Sequence, residues 1–391
     1  MPVQSAPNHP GVDSEVMPVM RRALCVFRFL FAFGLIGLAL PSHAITSYCV
    51  STAQQLNQAL TAAQNSSDTL VLIRLREGTY DTFASSSPFS YVSQTVNQIL
   101  DISGGWSGDG SNCTTQRPNP ALTQLIGIAG YPTLTLTAAS SGGQVYLHDI
   151  AISNANHTAT TIGGACLYVK VAAGSEARLE RMQMHDCVAR NTSFAAGFFD
   201  NRGGTFTARN VAVFNNVGRR NGGIGVTTSL GGVSNLAQIS VTRAMAFDGN
   251  PNDNAGILLN TPDAASRIAL SNSVSWGNSS YINNSGATVY VSDVAVYSFY
   301  GTIDLTRVHR GSLLGTPDSD VAPGSGDPGF LGIGDARLRS DSILVDSGVS
   351  SPPGGSGVFD ADGATRVQGA AVDVGAFEAA PGGTIFRNGF D

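Results

Sequence analysis

Two short motifs recur in the same order between Val145 and Gly301, and this repeat limits the chain to few folds. The first motif is a pair of short apolar strands around one polar residue. Its copies are spaced 32, 29, 33, 29 and 21 residues apart and begin at Leu147, Leu179, Ala208, Val241, Leu270 and Val291. The second motif is rich in small residues and lies between copies of the first, at Gly163–Ala165, Ala196–Phe198, Gly222–Ile224 and Ala255–Ile257.

The strands of one repeat are too short to bury an apolar face alone, so neighbouring repeats have to stack about 4.8 Å apart. Loops of variable length with Gly and Asn corners favour coils over propeller blades, which need about 40–45 residues and antiparallel hairpins. We therefore predict an all-β chain folded as a right-handed, single-stranded parallel β-helix (a solenoid). Strand-end asparagines are expected to stack as a ladder between coils: Asn154, Asn216, Asn250 and Asn278.

A capping-box spacing ahead of the repeats predicts one short helix. Ser51 and Thr52 precede Gln54 and Gln55, and the apolar residues that follow share one helical face: Leu56, Ala59, Leu60 and Ala63. A lone helix that leads into strands is typical of the cap at the end of a solenoid. Such caps cover an apolar end that would otherwise be open.

The amino end has the pattern of a secretory signal peptide. Two arginines and the apolar run Ala23–Leu40 are followed by the small residues Ser42 and Ala44. The run is also long enough for a membrane anchor, but Arg28 inside it and the cleavage pattern after it favour secretion. We expect residues 1–44 to be a leader and signal peptide cleaved after Ala44, and the mature protein to be secreted or at the cell surface.

Four cysteines would remain after cleavage, an even number that suits an oxidising compartment. Three pairings are possible. We favour Cys49–Cys113 and Cys166–Cys187, because each pair brackets one structural region. There is no Cys-x-x-Cys and the histidines are scattered, so we expect no metal site built on Cys and His.

The charge of the chain and the lack of a phosphate-loop motif argue against two classes of partner. It has 22 Lys+Arg and 28 Asp+Glu, a net charge of −6, and only 13% charged residues. Nucleic-acid binding needs clustered basic residues, and nucleotide binding by a phosphate loop needs a string that is missing from the sequence. We therefore expect neither nucleic acid nor nucleotide as a partner.

The repeats resemble right-handed parallel β-helix proteins of the pectate-lyase-like superfamily, including those with repeats like polymorphic outer-membrane proteins. Gly163–Ala165, Gly222–Ile224 and Phe247–Asn250 carry this resemblance. The segment from Ile99–Trp106 to Cys113 is similar to the opening coils of such exported proteins. The resemblance implies a fold and a bacterial surface or secreted location more than an activity.

The carboxyl part resembles the closing module of β-helix proteins called choice-of-anchor Q. The segments that carry the resemblance are Asp327–Phe330, Ser342–Gly348, Asp360–Arg366 and Val372–Glu378. The last residues, Ile385–Asp391, are similar to a short tail on exported proteins of some GC-rich proteobacteria. We therefore divide the mature chain into a β-helix with its cap (45–310), a closing module (311–378) and a tail (379–391).

Enzymes of the resembled superfamily act mostly on acidic polysaccharides, as lyases or glycosidases. The polygalacturonase strings Asn-Thr-Asp, Asp-Asp, Gly-His-Gly and Arg-Ile-Lys are missing from the sequence. The column of polar residues at the centre of the first motif mixes charge signs, so we interpret it as a stabilising ladder with Asp149 beside Arg181 rather than a Ca²⁺ site. The column is Asp149, Arg181, Asn210, Arg243, Asn272 and Asp293.

The best candidate for catalysis is a histidine among arginines that could hold a uronate carboxylate. The candidate catalytic residues are Arg181, His185, Asp186 and Arg209. Candidate ligand-binding residues are Arg219, Arg220 and the aromatic Trp276, together with Tyr290 and Tyr297. The alternative interpretation is a solvated loop end beside a disulfide.

The segment Asp360–Gly363 looks like the start of a Ca²⁺ loop but lacks the later bidentate glutamate. We interpret Arg366 with Asp373 or Glu378 as a salt bridge of the closing module. No cofactor is therefore expected, with Ca²⁺ left open.

Three functions remain open for the chain. The first is an exported scaffold that binds glycans or envelope components, or has a structural role at the surface. The second is a polysaccharide lyase or glycosidase that uses the neighbourhood of Arg181, His185 and Arg209. The third is a self-assembling or adhesive surface protein.

Overall fold

The computed structural model describes residues 45–109, 112–127, 130–158, 163–191, 194–247, 254–281, 288–289 and 292–380. The predicted signal peptide, Asn250, Tyr290 and residues 381–391 of the predicted tail lie outside the described residues. The described chain is a parallel β-helix, as the sequence predicts.

Sheet A runs the length of the solenoid and contains thirteen strands among the described residues. Ten of them follow one another along the axis, at Ile45–Val50, Leu70–Arg76, Ile99–Ser107, Gln144–Ser153, Glu176–His185, Thr205–Phe214, Val233–Thr242, Arg267–Trp276, Thr302–Arg310 and Ser319–Val321. Three short strands flank this row, at Gly78–Asp81, Thr115–Gln116 and Thr123–Ile126.

Two further sheets complete the coils. Sheet B follows the order Phe89–Val92, Leu134–Ala138, Leu167–Val171, Gly197–Arg202, Ile224–Ser229, Asn254–Thr261, Ser292–Ser298 and Leu313–Leu314. Sheet C is made of short strands, at Asn156–His157, Val188–Ala189, Val217–Gly218, Met245–Ala246, Ser279–Tyr281 and Thr288–Val289. Strands therefore join the solenoid sheets as far as Val321, beyond residue 310.

The core of the solenoid is a set of apolar columns inside the coils. One column holds in-register side chains that are at most 2% exposed: Leu147, Leu179, Ala208, Leu236, Leu270 and Leu305. Each fully buried Leu of this kind contributes roughly 1.5–3 kcal/mol relative to an exposed one. Stacking of like residues from successive coils therefore replaces the two-layer core of an ordinary domain.

A residue in the left-handed backbone region bends each of the six long strands from Gln144–Ser153 to Thr302–Arg310 at its middle. Its φ lies between 46° and 59° at Asp149, Arg181, Asn210, Gln238, Asn272 and Arg307. Asn and Asp adopt this conformation more easily than other non-glycine residues, because their short side chains can bond locally. We call this set the corner column.

The corner column corrects the polar column that the sequence predicts. Gln238 and Arg307 occupy the fourth and sixth places, not Arg243 and Asp293. Arg243 belongs to the next corner, and Asp293 lies in sheet B. The prediction was wrong there because the coil before Leu236 is shorter than its neighbours, and a second apolar stretch at Val241 mimics the motif.

The small-residue motif is correct in position but shifted in register. Ile224 and Ile257, the last residues of the third and fourth copies, pair with each other as the motif predicts. In the first and second copies, however, the residues in the same register are Leu167 and Gly197 rather than Ala165 and Phe198. The glycines are needed where coils approach closely. A Cβ atom at Gly256 would lie 2.0 Å from the carbonyl oxygen of Asp293.

The predicted asparagine ladder is wrong in its geometry. Asn216 accepts a hydrogen bond from the Cys187 N–H at 2.8 Å and donates one to the Met184 carbonyl at 2.9 Å. Asn278 likewise accepts from the Ala244 N–H at 3.0 Å. These side chains bridge to the backbone of the preceding coil, because other residue types separate them in their column.

The predicted capping helix is confirmed at Ala53–Gln64. The Thr52 hydroxyl accepts from the Gln55 N–H at 3.2 Å, and the Gln55 side chain accepts from the Ser51 N–H at 2.9 Å. A single-turn helix spans Thr82–Ser85 and a 3₁₀ turn spans Pro120–Leu122. Neither α-helix in the described ranges has the length and apolar character to cross a membrane.

Two disulfides join the pairs that the sequence analysis favours. Cys49–Cys113 ties the first strand to the loop after Ile99–Ser107, and Cys166–Cys187 lies inside the solenoid with both residues 0% exposed. Disulfides persist in oxidising compartments, so the chain belongs to an extracellular or other oxidising environment.

The closing module folds back across the outer face of sheet A. Its segment from Val349 to Phe359 lies along the corner column, where the Asn210 amide donates to the carbonyls of Ser356 at 2.8 Å and Phe359 at 2.9 Å. Asn272 exchanges two hydrogen bonds of 2.8 Å with the backbone of Val349. A short hairpin, Phe330–Gly332 with Asp335–Leu338, packs on the same side.

Candidate functional site

An open cleft of about 200 Å³ lies on the outer face of sheet A, next to the closing module. We call it the charged cleft; its lining residues are Asp101, Tyr146, Leu147, His148, Arg178, Glu180 and Arg181. Strand register brings most of them together, since Asp101 pairs with Tyr146, Tyr146 with Arg178 and His148 with Glu180. Alternate residues of a strand face outward, so these polar side chains share one surface.

His148 lies between two carboxylates. Its Nδ1 is 2.6 Å from Asp149 Oδ2 and its Nε2 is 3.1 Å from Asp101 Oδ1. Burial lowers the pKa of His148, but the hydrogen bonds to Asp101 and Asp149 outweigh burial and raise the pKa to about 9. The imidazole is therefore a cation at neutral pH and has no free nitrogen to act as a base.

Asp149 is the buried centre of the network, with 0% exposure. It accepts hydrogen bonds from Arg181 Nε at 2.6 Å and Nη2 at 2.9 Å, and from Gln116 Nε2 at 3.1 Å. Burial raises the pKa of Asp149, but the bonds to His148 and Arg181 lower it below its usual value. Asp149 therefore lies beside Arg181, as the ladder interpretation predicts.

Glu180 continues the network to the next coil. One of its oxygens contacts Arg181 Nη1 and the other is 2.6 Å from Arg209 Nη2. Arg209 also donates to the Gly354 carbonyl of the closing module at 3.3 Å. Charges therefore alternate along the chain of contacts from Asp101 to Arg209, with three anions and three cations when His148 is protonated.

Tyr146 and Arg178 form the flat rim of the charged cleft. The Arg178 guanidinium lies 4.8 Å above the centre of the Tyr146 ring, and its Nη2 is 2.7 Å from Glu176 Oε1. The Arg178 side chain is 40% exposed. An aromatic ring with a planar cation against it offers both an apolar face and hydrogen-bond donors to a ligand.

The structure brings together only part of the predicted catalytic cluster. Arg181 and Arg209 meet through Glu180, whereas His185 stacks on Phe214, with ring centres 4.8 Å apart, and its Nδ1 is 2.7 Å from Asp186 Oδ2. The left-handed residue at Arg181 bends the strand, so residues before and after it belong to different faces of the coil.

The predicted ligand-binding residues lie outside the charged cleft. Arg219 and Arg220 are exposed in the turn after Val217–Gly218. Trp276 is partly buried, 5.5 Å from the His309 ring and packed against apolar side chains of the closing module. Tyr297 stacks with Phe299 on sheet B, with ring centres 6.4 Å apart.

The Ca²⁺-like segment is held by backbone hydrogen bonds. Asp360 accepts from the N–H groups of Asp362 at 3.0 Å, Ala364 at 2.8 Å and Glu378 at 2.9 Å. The predicted salt bridge forms between Arg366 Nε and Glu378 Oε1 at 3.2 Å. In the described part of the chain, no three His, Cys, Asp or Glu residues are placed to hold a metal ion.

Sequence reasoning missed most of the charged cleft. It did not single out Asp101, Tyr146, His148, Arg178 or Glu180. A signal for three of the cleft and network residues was present, because His148, Glu180 and Arg209 each precede a corner residue in successive coils. A charged side chain repeated at one position of a solenoid indicates a charged stripe on its surface.

The His148 network predicts a pH dependence of stability. A pKa of about 9 in the folded state, against about 6.5 when unfolded, contributes about 3 kcal/mol. Because the pKa is raised, this contribution is complete below pH 6.5 and is lost as the pH rises through about 9. We expect the difference in unfolding free energy between wild type and His148→Gln to shrink over that range. Equal pH slopes in urea unfolding of the two proteins would contradict the network.

No protein-family model, curated protein or solved structure matches the chain. The resemblance of its repeats and closing segments to the pectate-lyase-like superfamily therefore stays a prediction.

Proposed function

We propose that this protein is an exported bacterial β-helix scaffold that binds a glycan or another component of the cell envelope through the charged cleft. The observation that carries the proposal is the rim of Tyr146 and Arg178 above an ion-paired floor. The rim provides an aromatic face and a planar donor, while the floor provides further polar groups at fixed positions. Together these are the contacts that a sugar ring with its hydroxyl groups needs.

The floor of the charged cleft supports binding more than acid–base chemistry. His148 is protonated between Asp101 and Asp149, and Glu180 is engaged by Arg181 and Arg209. Groups that are held by neighbours in this way lose little conformational freedom when a ligand binds. A polar surface organised in advance therefore suits recognition of a polar polymer.

The two disulfides support a role outside the cytoplasm, and the predicted signal peptide and the predicted superfamily agree with it. Solenoids present extended surfaces along which a linear polymer can lie. We therefore extend the proposal to a surface or secreted location.

Retention on immobilised polysaccharides tests the binding function. We expect the chain from Ile45 to be retained on at least one of pectate, alginate or a glycosaminoglycan. Arg178→Ala should weaken retention about tenfold, a loss of about 1.4 kcal/mol, because the rim loses its donor and its cation–π contact. Arg267→Ala is the matched control, since Arg267 is exposed on the same sheet three coils further along. No retention of the wild type, or equal losses in both variants, would contradict the proposal.

A lyase or glycosidase is the second candidate function. It is favoured by the Arg178 guanidinium, which could hold a uronate carboxylate beside the Tyr146 hydroxyl. The same incubations, with and without Ca²⁺, report unsaturated uronates by ultraviolet absorbance and new reducing ends. Product that disappears in Tyr146→Phe while retention persists would favour the enzyme. Product that depends on His185 would place the reaction outside the charged cleft.

A further inference from the structure

A second groove, of about 320 Å³, lies between sheet A and the closing module. We call it the closing groove. Its walls include Gln183 and Phe214 from the solenoid and Phe377 from the closing module, and its polar side carries Asp335, Arg337 and Asp362. Apolar walls with a few convergent polar groups are the usual features of a small-ligand site, and this volume is within the usual range.

Two of the three charges in the closing groove neutralise one another. Arg337 donates to Asp335 from Nε at 2.9 Å and from Nη2 at 2.7 Å, so the ion pair is bidentate. Burial raises the pKa of Asp335, but the hydrogen bonds from Arg337 outweigh burial and lower the pKa below its usual value. Asp335 and Arg337 therefore behave as a neutral unit.

The carboxylate of Asp362 has no such partner. Its Oδ2 is 3.8 Å from Arg337 Nη1, a long ion pair beyond hydrogen-bond distance, and its side chain is 37% exposed. Within the described ranges this carboxylate accepts no hydrogen bond. Burial, and then the nearby charge of Asp360, raise the pKa of Asp362 to about 6. A partly desolvated carboxylate is stabilised by a cation or a strong donor that enters the groove.

The same groove is also lined by aromatic side chains, Phe214 and Phe377. The Phe214 ring stacks on the His185 ring, with ring centres 4.8 Å apart and an angle of 3° between the ring planes. An aromatic face attracts cations as well as apolar rings. A carboxylate without a hydrogen-bond donor and an aromatic ring in one groove are groups that recognise a protonated amine on a ring.

We propose that the closing groove binds an amino sugar, with its protonated primary amine at the Asp362 carboxylate and its ring against Phe214. The hydroxyl groups of the sugar then meet Gln183 and the Asp335–Arg337 pair. The aliphatic side chain of a peptide lysine would carry the same amine but offer no hydroxyl groups to those polar groups, which favours the sugar. None of the residues that line the closing groove lines the charged cleft.

The charge requirement gives binding a defined pH dependence. The charged groups that face Asp362 are Asp335 and Arg337 from the hairpin and Asp360 from its own segment, and His185 lies behind Phe214. Asp362 has to be ionised to attract the amine, so affinity should rise as the pH increases through about 6. Asp335 is already ionised there, and Arg337 keeps its charge.

Calorimetry with short glucosamine oligomers tests the site, with fully N-acetylated oligomers of equal length as the comparison. At pH 6.5 the amine oligomer should bind at least about tenfold more tightly than the acetylated one. Its affinity should fall up to about eightfold at pH 5, as Asp362 takes up a proton. Asp362→Asn should remove both the preference and the pH dependence, whereas Asp341→Asn, at a carboxylate that is 77% exposed, should change neither.

Several outcomes would reject the amino-sugar proposal and leave the proposal for the charged cleft unaffected. Equal binding of the two oligomers, unchanged binding by a folded Asp362→Asn variant, or no binding of the amine oligomer would each reject it. Tighter binding of a lysine peptide than of the amine oligomer would also reject the sugar. The two proposals fail separately, because retention on polysaccharides is tested with Arg178→Ala and the preference for the amine is tested with Asp362→Asn.

Discussion

Arg366→Ala is expected to lower the free energy of unfolding by about 3–5 kcal/mol. The side chains of Arg366 and Glu378 are each 1% exposed, and their Nε and Oε1 atoms are 3.2 Å apart. The Arg366 guanidinium also donates to the carbonyls of Asp373 at 2.8 Å and Gly375 at 2.9 Å. Its removal leaves a buried carboxylate and two carbonyls without this donor, in the segment that anchors the closing module. Urea unfolding followed by circular dichroism gives the free energy.

Two further variants show whether the loss comes from an unpaired buried charge. Arg339→Ala removes an arginine that is 50% exposed and paired with an exposed aspartate, and should cost less than about 0.5 kcal/mol. Burial raises the pKa of Glu378 to about 7, so its ionised form is costly at this position, and more costly without Arg366. The pair Arg366→Met with Glu378→Leu should therefore recover much of the loss. A cost below 1 kcal/mol for Arg366→Ala would contradict the proposed role of this ion pair.

Opening the Cys49–Cys113 disulfide is expected to cost about 4 kcal/mol. The bond closes a loop across 64 positions of the chain, and cross-linking so long a loop removes much of the entropy of the unfolded state. Cys113→Ala and the double variant Cys49→Ala/Cys113→Ala should lose similar amounts, because either change opens the same loop. Denaturant unfolding of the three proteins under oxidising conditions gives the comparison. A loss below about 1 kcal/mol in the double variant would show that the bond constrains little.

The fold was predictable because the solenoid is a local repeat. Stacked coils need apolar residues at matching places, and residues from Leu147 to Leu305 show this pattern in the sequence. Register was predictable only where coil lengths agree. The sequence analysis missed Gln238 and Arg307 in the corner column, because neither residue type indicates a left-handed backbone. Only the pairing of the coils shows that these two residues belong there.

The site was less predictable than the fold for a related reason. Asp149 and Arg181 could be paired because both lie at the same place in adjacent coils. The separation of His185 from Arg209 could not be foreseen, since it depends on a bend of the backbone at Arg181. The closing groove depends on a segment about 150 residues away in the sequence that returns to the solenoid, and such long-range contacts leave no periodic signal.

The return of the closing module changes how the solenoid should unfold. In a simple repeat array each coil contacts only its neighbours, so ends can fray while the middle stays intact. Here Asn210 and Asn272, which belong to coils two steps apart, both bind one continuous segment of the closing module. Loss of any one of these coils would release contacts of the others. The closing module thereby joins separate repeats into a single cooperative unit, and resistance to local opening becomes a property of the whole row of coils.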